Sequence, residues 1–168
     1  MSHGVGSDSE SLAMTAARAL RAAGLRAVTA ESCTGGALAS ALTDIPGSSE
    51  WFERGYVTYS NEAKMQDLGV DRGTLESHGA VSAAVAEQMV AGALRVTGAD
   101  LAVGITGIAG PDGGSLEKPV GLVYLAIGRR GGAVSVRREL FAGDRAAVRA
   151  AAVGAALRLL AQAAERPK

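Results

Sequence analysis

Lys64 is placed where a lysine could do chemistry. It follows the short β-favouring run Tyr56-Val57-Thr58-Tyr59 and falls in the first turn of the helical segment that this run enters. Ligands of α/β sheets bind beyond the carboxyl ends of strands, so such a lysine lies near other strand ends and near the positive end of a helix dipole. The dipole and burial both push an amine towards neutrality. A neutral lysine is a workable general base for a serine hydroxyl within hydrogen-bond reach, and Ser32, Ser48, Ser49 and Ser60 are the candidates by position. The competing reading of any lysine is a solvated surface charge.

Two glycine-bearing segments could bind what such a pair acts on. Ser32-Cys33-Thr34-Gly35-Gly36 joins a strand ending at Glu31 to an Ala/Leu-rich helix. The N–H groups of Gly35 and Gly36, with the hydroxyls of Ser32 and Thr34, could hold an anion there, or the turn could serve only as a cap. Gly107–Gly114 packs four glycines and a proline into eight residues directly after an apolar strand. Its backbone could face a ligand as an oxyanion hole or phosphate nest. Arg145, opening the last helix after Gly143-Asp144, is a possible clamp for phosphate or carboxylate. Cys33 reads as a small buried hydrophobe and His78 as a turn residue, while Asp112 and Glu117 are too few for a metal site.

The elements that position these residues follow from periodicity and breakers. Glu10–Ala23 is helical in spacing, with Gly24 as C-cap, behind a flexible leader over residues 1–9. Arg26–Ala30 is a strand, residues 37–43 a helix, and Pro46-Gly47-Ser48-Ser49 a break. Tyr56–Tyr59 is a strand entering a helix over Asn61–Leu68, and Ser82 caps a helix over Ala83–Val96. Leu101–Thr106 is a buried strand. Val120–Ile127 and Ala133–Leu140 form a hairpin about Arg129-Arg130-Gly131-Gly132, and a helix over Arg145–Ala164 ends the domain. Helices interleaved with strands predict a single domain over residues 10–168, a three-layer α/β/α sandwich with a mixed, mostly parallel sheet.

Composition narrows the function classes. The 168 residues carry 17 Lys+Arg against 17 Asp+Glu, so no basic excess favours nucleic acid or an anionic membrane. Hydrophobic residues at 48% and charged residues at 20% describe a folded globule. One cysteine and two histidines supply neither a disulfide nor a multi-histidine metal centre. No run reaches the ~18 unbroken apolar residues of a membrane span, and the polar start lacks a signal core. A cytoplasmic protein with no metal, no cofactor, no nucleic acid and no membrane partner is expected. The Ala-rich last helix, with room for close helix packing, suggests a homo-oligomer.

Ala30-Glu31-Ser32-Cys33-Thr34-Gly35-Gly36, Pro46-Gly47-Ser48-Ser49, Gly55–Lys64, Gly79-Ala80-Val81-Ser82 and Gly107–Gly114, in that order, resemble the CinA C-terminal domain family. The likeness runs from about Glu10 to Ala161. It implies the stand-alone form of the domain and hydrolysis of the carboxamide of nicotinamide mononucleotide to nicotinic acid mononucleotide and ammonia by a serine/lysine pair. Carried over by motif, Lys64 is the base and the nucleophile is Ser49 or Ser32, with Ser49 preferred for its exposed Gly-Ser-Ser loop. Tyr59 and Thr106 complete the catalytic set. Thr34, Gly35, Gly36, Asn61, Gly107, Gly110 and Arg145 would bind substrate, with Arg145 and the Gly35/Gly36 turn on its phosphate. The alternative is a nucleotide-binding module that keeps the pocket without the reaction.

Overall fold

Most element boundaries have a local cause in the sequence. A computed structural model describes residues 5–167, beginning with helix α1 over Val5–Ala23 and strand β1 over Ala27–Glu31. Helix α2 (Ala37–Thr43) and strand β2 (Phe52–Val57) follow, joined through a 3-10 turn at Ser48–Glu50. Next come α3 (Asn61–Leu68), α4 (Arg72–His78) and α5 (Ala83–Thr97), then β3 (Leu101–Gly107), β4 (Leu122–Arg129), β5 (Val134–Leu140) and α6 (Arg145–Glu165). The side chains of Ser60, Asp71, Ser82 and Asp144 each accept a hydrogen bond from the N–H three residues on, capping α3 to α6 in turn. Gly69 and Gly98 close α3 and α5 with φ of 67° and 65°, a conformation that side-chain-bearing residues rarely adopt.

Three boundaries differ from expectation. Of the leader expected over residues 1–9, residues 1–4 lie outside the described residues and 5–9 are helical, forming the start of α1. Strand β2 lies earlier than Tyr56–Tyr59, so Thr58 and Tyr59 stand beyond the sheet. Helix α4 was hidden in the polar stretch Arg72-Gly73-Thr74-Leu75-Glu76-Ser77-His78, and His78 is its last residue rather than part of a turn.

The sheet runs β2-β1-β3-β4-β5. Strands β1, β2 and β3 are parallel, and β4 is antiparallel to both its neighbours, so four of the five strands point one way. One apolar core joins α1, α2 and α6 to the sheet through Leu20, Leu38, Leu42, Leu157, Val103 and Ile105. The other joins α3, α4 and α5 to the opposite face through Leu68, Leu75, Met89, Val90, Val28 and Ala102. This is the three-layer α/β/α sandwich, its parallel half carrying the strand ends of interest.

Two helices pack through small residues. Helix α6 is long and apolar enough to cross a membrane by length and composition, yet its small and apolar residues Val148, Ala152, Ala156, Leu157 and Leu160 are buried in the core shared with α1. Its Ala-rich stripe is thus used within the chain. Helix α5 meets α3 at Gly92, where an added Cβ would lie 1.9 Å from the Leu68 carbonyl oxygen. Glycine there lets α3 seat on α5, and α3 carries Lys64.

Candidate active site

The carboxyl ends of β1 and β2 deliver the central groups. Hydrogen bonding continues one residue past each strand: Ser32 N–H donates to the Ile105 carbonyl and Thr58 N–H to the Glu31 carbonyl, both at 2.9 Å. The chain then turns into α3, capped by Ser60, which places Lys64 fourth in the helix and folds its side chain back under the strand ends. Lys64 is 1% exposed.

Its ammonium nitrogen has three neighbours: the Thr58 carbonyl at 2.8 Å, the Tyr59 carbonyl at 3.2 Å and Ser32 Oγ at 3.1 Å. No carboxylate pairs with it among the described residues. Burial among neutral groups pulls its pKa from the ordinary 10.5 down to about 8, with Cys33 acting the other way. The three neighbours also match the valence of a neutral amine. Such an amine has two N–H donors and one lone pair, and a carbonyl can only accept. With the donors given to Thr58 and Tyr59, the lone pair is left for the one neighbour that has a proton to donate, the Ser32 hydroxyl.

Ser32 is held by a rigid turn. Glu31, fully buried, accepts from Thr34 Oγ1 at 2.7 Å and Leu38 N–H at 2.9 Å on one oxygen, and from Ala39 N–H at 3.1 Å on the other. Arg149 reaches from α6 to the carbonyls of Cys33 and Thr34, each at 3.1 Å. Sequence reasoning did not single out Glu31. The signal was an acid at the end of an apolar strand three residues before a threonine and seven before a helical N–H, a spacing that suits a carboxylate folding onto the next helix N-terminus.

Ser32, Tyr59, Lys64, Thr106, Gly107, Gly110 and Arg145 line a single cavity of about 270 Å³. Arg145 spans its mouth, donating to the Gly110 carbonyl at 2.9 Å and to Tyr59 Oη at 3.1 Å. Thr106 is buried and donates to the Ala80 carbonyl at 2.8 Å, tying β3 to the segment before α5. Cys33, Ala80, Val81 and Asp112 also face the cavity and were not in the expected set. Burial pushes the Cys33 thiol up to about 11, so it is not a thiolate near neutral pH.

Several expected residues are not brought there. Ser49 is exposed in the 3-10 turn before β2, at the amino end of the strands, where its carbonyl accepts from Arg26 at 3.3 Å. Arg26 and Ser32 bracket β1, six residues apart, so Ser49 lies roughly 20 Å from Lys64 along the strand direction. The preference for Ser49 as partner of Lys64 is corrected on that ground: within one chain the two stand at opposite ends of the sheet. The Gly35/Gly36 turn is not an open phosphate cradle either, because Glu31 already occupies the N-terminus of α2 and takes the hydroxyl of Thr34. Thr34, Gly35, Gly36 and Asn61 do not line the cavity.

Comparison with known proteins agrees with this architecture. Nicotinamide-nucleotide amidohydrolase PncC of Escherichia coli strain K12 is 58% identical over 145 residues, 86% of this chain and 88% of that protein. A CinA-like protein of Syntrophomonas wolfei is 49% identical over 156 residues, 93% of this chain but 37% of its own greater length. The crystal structure of the competence/damage inducible protein CihA from Agrobacterium tumefaciens superimposes with a TM-score of 0.89 at 48% identity, covering 95% of this chain and 96% of that one. Residues 9–164 match the CinA C-terminal domain. The chain belongs to the CinA C-terminal domain family.

Proposed function

We propose that this protein is an amidohydrolase that converts the carboxamide of nicotinamide mononucleotide to a carboxylate, giving nicotinic acid mononucleotide and ammonia, with Ser32 as nucleophile and Lys64 as the proton carrier. The observation that carries the reading is the buried Lys64 amine, 3.1 Å from Ser32 Oγ with its other two neighbours both carbonyls. The substrate is the one named for the Escherichia coli relative.

Neutral Lys64 takes the Ser32 proton as Oγ bonds to the carboxamide carbon, and the carbonyl electron pair moves onto oxygen. The amides of Cys33 and Thr34, which follow Ser32 in the chain and donate to no acceptor among the described residues, are the N–H groups assigned to that oxyanion. The Lys64 ammonium protonates the amide nitrogen as collapse re-forms the carbonyl and breaks the C–N bond, and that nitrogen leaves as ammonia. The resulting Ser32 ester is attacked by water, one of whose protons passes through Lys64 to Ser32 Oγ as the C–O bond to Ser32 breaks, and the acid so formed loses its proton to solvent as a carboxylate. Arg145, at the cavity mouth, holds the phosphate through the N–H groups not given to Gly110 and Tyr59.

Ammonia release from nicotinamide mononucleotide, measured with a chelator present, tests the reading. Ser32→Ala and Lys64→Ala should each lower kcat by about three orders of magnitude or more, and the double variant should be little worse than either, as for residues acting as a unit. Ser49→Ala should retain most of the activity. Loss of activity in Ser49→Ala with retention in Ser32→Ala would reverse the assignment.

A further inference from the structure

The cavity wall carries one polar side chain whose partner is missing. Ser32, Tyr59, Lys64, Thr106 and Arg145 each hold hydrogen bonds to protein atoms. Asp112, on the glycine-rich loop between β3 and β4, lines the same cavity, and among the described residues it makes neither a side-chain hydrogen bond nor an ion pair. It is also the sole acid on that wall, whose basic side chains are Lys64 and Arg145.

The amidohydrolase reading, on which this step rests, assigns two of the three recognisable parts of the substrate. The carboxamide goes to Ser32 and Lys64, and the phosphate to Arg145. The remaining part is the ring, which in a nicotinamide nucleotide is alkylated on nitrogen and carries a full positive charge. Arg145 lines a cavity that must admit a cationic ring, Lys64 adds a second positive charge whenever it holds a proton, and a carboxylate on the same wall offsets their repulsion. Its lack of a protein partner leaves it free to do so.

We infer that Asp112 is a specificity residue that selects N-alkylated, positively charged pyridinium carboxamides over neutral carboxamides of the same shape. Asp112 touches neither Ser32 nor Lys64 and moves no proton. It acts through charge on the bound ring. Being exposed, it acts through solvent-screened attraction, which sets a modest expected effect, about three- to five-fold in affinity.

The discriminating pair of ligands is nicotinamide mononucleotide and its 1,4-dihydro form, which share the ribose, the phosphate and the carboxamide and differ in ring charge. In Asp112→Asn the KM for the oxidised nucleotide should rise about three- to five-fold, while the Ki of the dihydro form, measured as a competitive inhibitor, stays at its wild-type value. Added salt should erode the wild-type preference for the charged ring, and with it the difference between the wild-type protein and the variant. A parallel loss for both ligands would mean that Asp112 contacts the ribose hydroxyls, and no change for either would mean that it contacts nothing. Both outcomes overturn the inference. Direct titration of both ligands onto Ser32→Ala and onto Ser32→Ala/Asp112→Asn reads the same comparison without turnover. Absence of hydrolysis by the wild-type protein would thus sink the amidohydrolase reading while still deciding the role of Asp112.

Discussion

Lys64→Met exchanges the buried amine for an uncharged, unbranched side chain of similar length. Folded Lys64 has a pKa of about 8 against an ordinary 10.5, so the folded protein binds this proton less tightly than the unfolded chain. Below pH 8 both states carry the proton, and folding bears the whole cost of enclosing an ammonium among neutral groups, about 3 kcal/mol at 1.36 kcal/mol for each factor of ten. Between pH 8 and 10.5 the folded amine is neutral while the unfolded one is charged, and the cost shrinks as pH rises. Methionine bears no such cost at any pH. It does leave the buried Thr58 carbonyl without its donor at 2.8 Å, a loss of about 1–3 kcal/mol. The Tyr59 carbonyl belongs to an exposed residue, so water can replace its donor. The carbonyl loss is independent of pH and cancels when two pH values are compared. From pH 7 to pH 10 the wild-type protein should therefore gain about 2–3 kcal/mol of stability relative to Lys64→Met. Urea denaturation followed by fluorescence of Trp51, the single tryptophan and a 1% exposed core residue, supplies both curves. A stability difference that stays level across this range would place the Lys64 pKa near its ordinary value and refute the neutral-amine argument.

Two substitutions away from the reacting pair test its supports. Glu31→Gln keeps one acceptor oxygen but turns an amide NH₂ against a backbone N–H of α2; stability should fall by about 2 kcal/mol and kcat should drop more than KM rises, read from urea midpoints and steady-state kinetics. A wild-type kcat in that variant would show that the carboxylate does not position Ser32. Gly92→Ala puts a methyl group 1.9 Å from the Leu68 carbonyl oxygen, so α3 must lift from α5; a loss of about 3 kcal/mol is expected, with activity falling alongside because Lys64 rides on α3. An unchanged urea midpoint would contradict the packing argument.

The elements with strong local signals were legible in the sequence: Ser82 before an amphipathic run, the apolar strand Leu101–Thr106, the Arg129–Gly132 turn. Helix α4 was not, because seven polar-rich residues carry too little periodicity and only its Asp71 cap marks it. The site was legible as a set of strand ends, but not in its pairing. Choosing between Ser32 and Ser49 needs strand direction rather than motif: Ser32 follows β1 and Lys64 follows β2, whereas Ser49 precedes β2 and so belongs to the other end of a parallel pair. The glycine turn misled for a different reason. A helix N-terminus advertises an anion site in any sequence, and that this one is filled from within depends on Glu31 being buried and aimed inward, which only packing decides.

The carboxylate of Glu31 bears on the end of the reaction as well as on its start. In the proposed reaction, hydrolysis turns a neutral amide into an anion beside Ser32. An enzyme whose helix N-terminus stood open there would bind that new charge well and be throttled by its own product. Here the N–H groups of Leu38 and Ala39 at that terminus are already committed to Glu31, whose fixed negative charge sits behind the turn that carries Ser32. A nascent carboxylate would meet a helix terminus whose charge Glu31 has already offset, so the arrangement that holds Ser32 in place also favours departure of an anionic product.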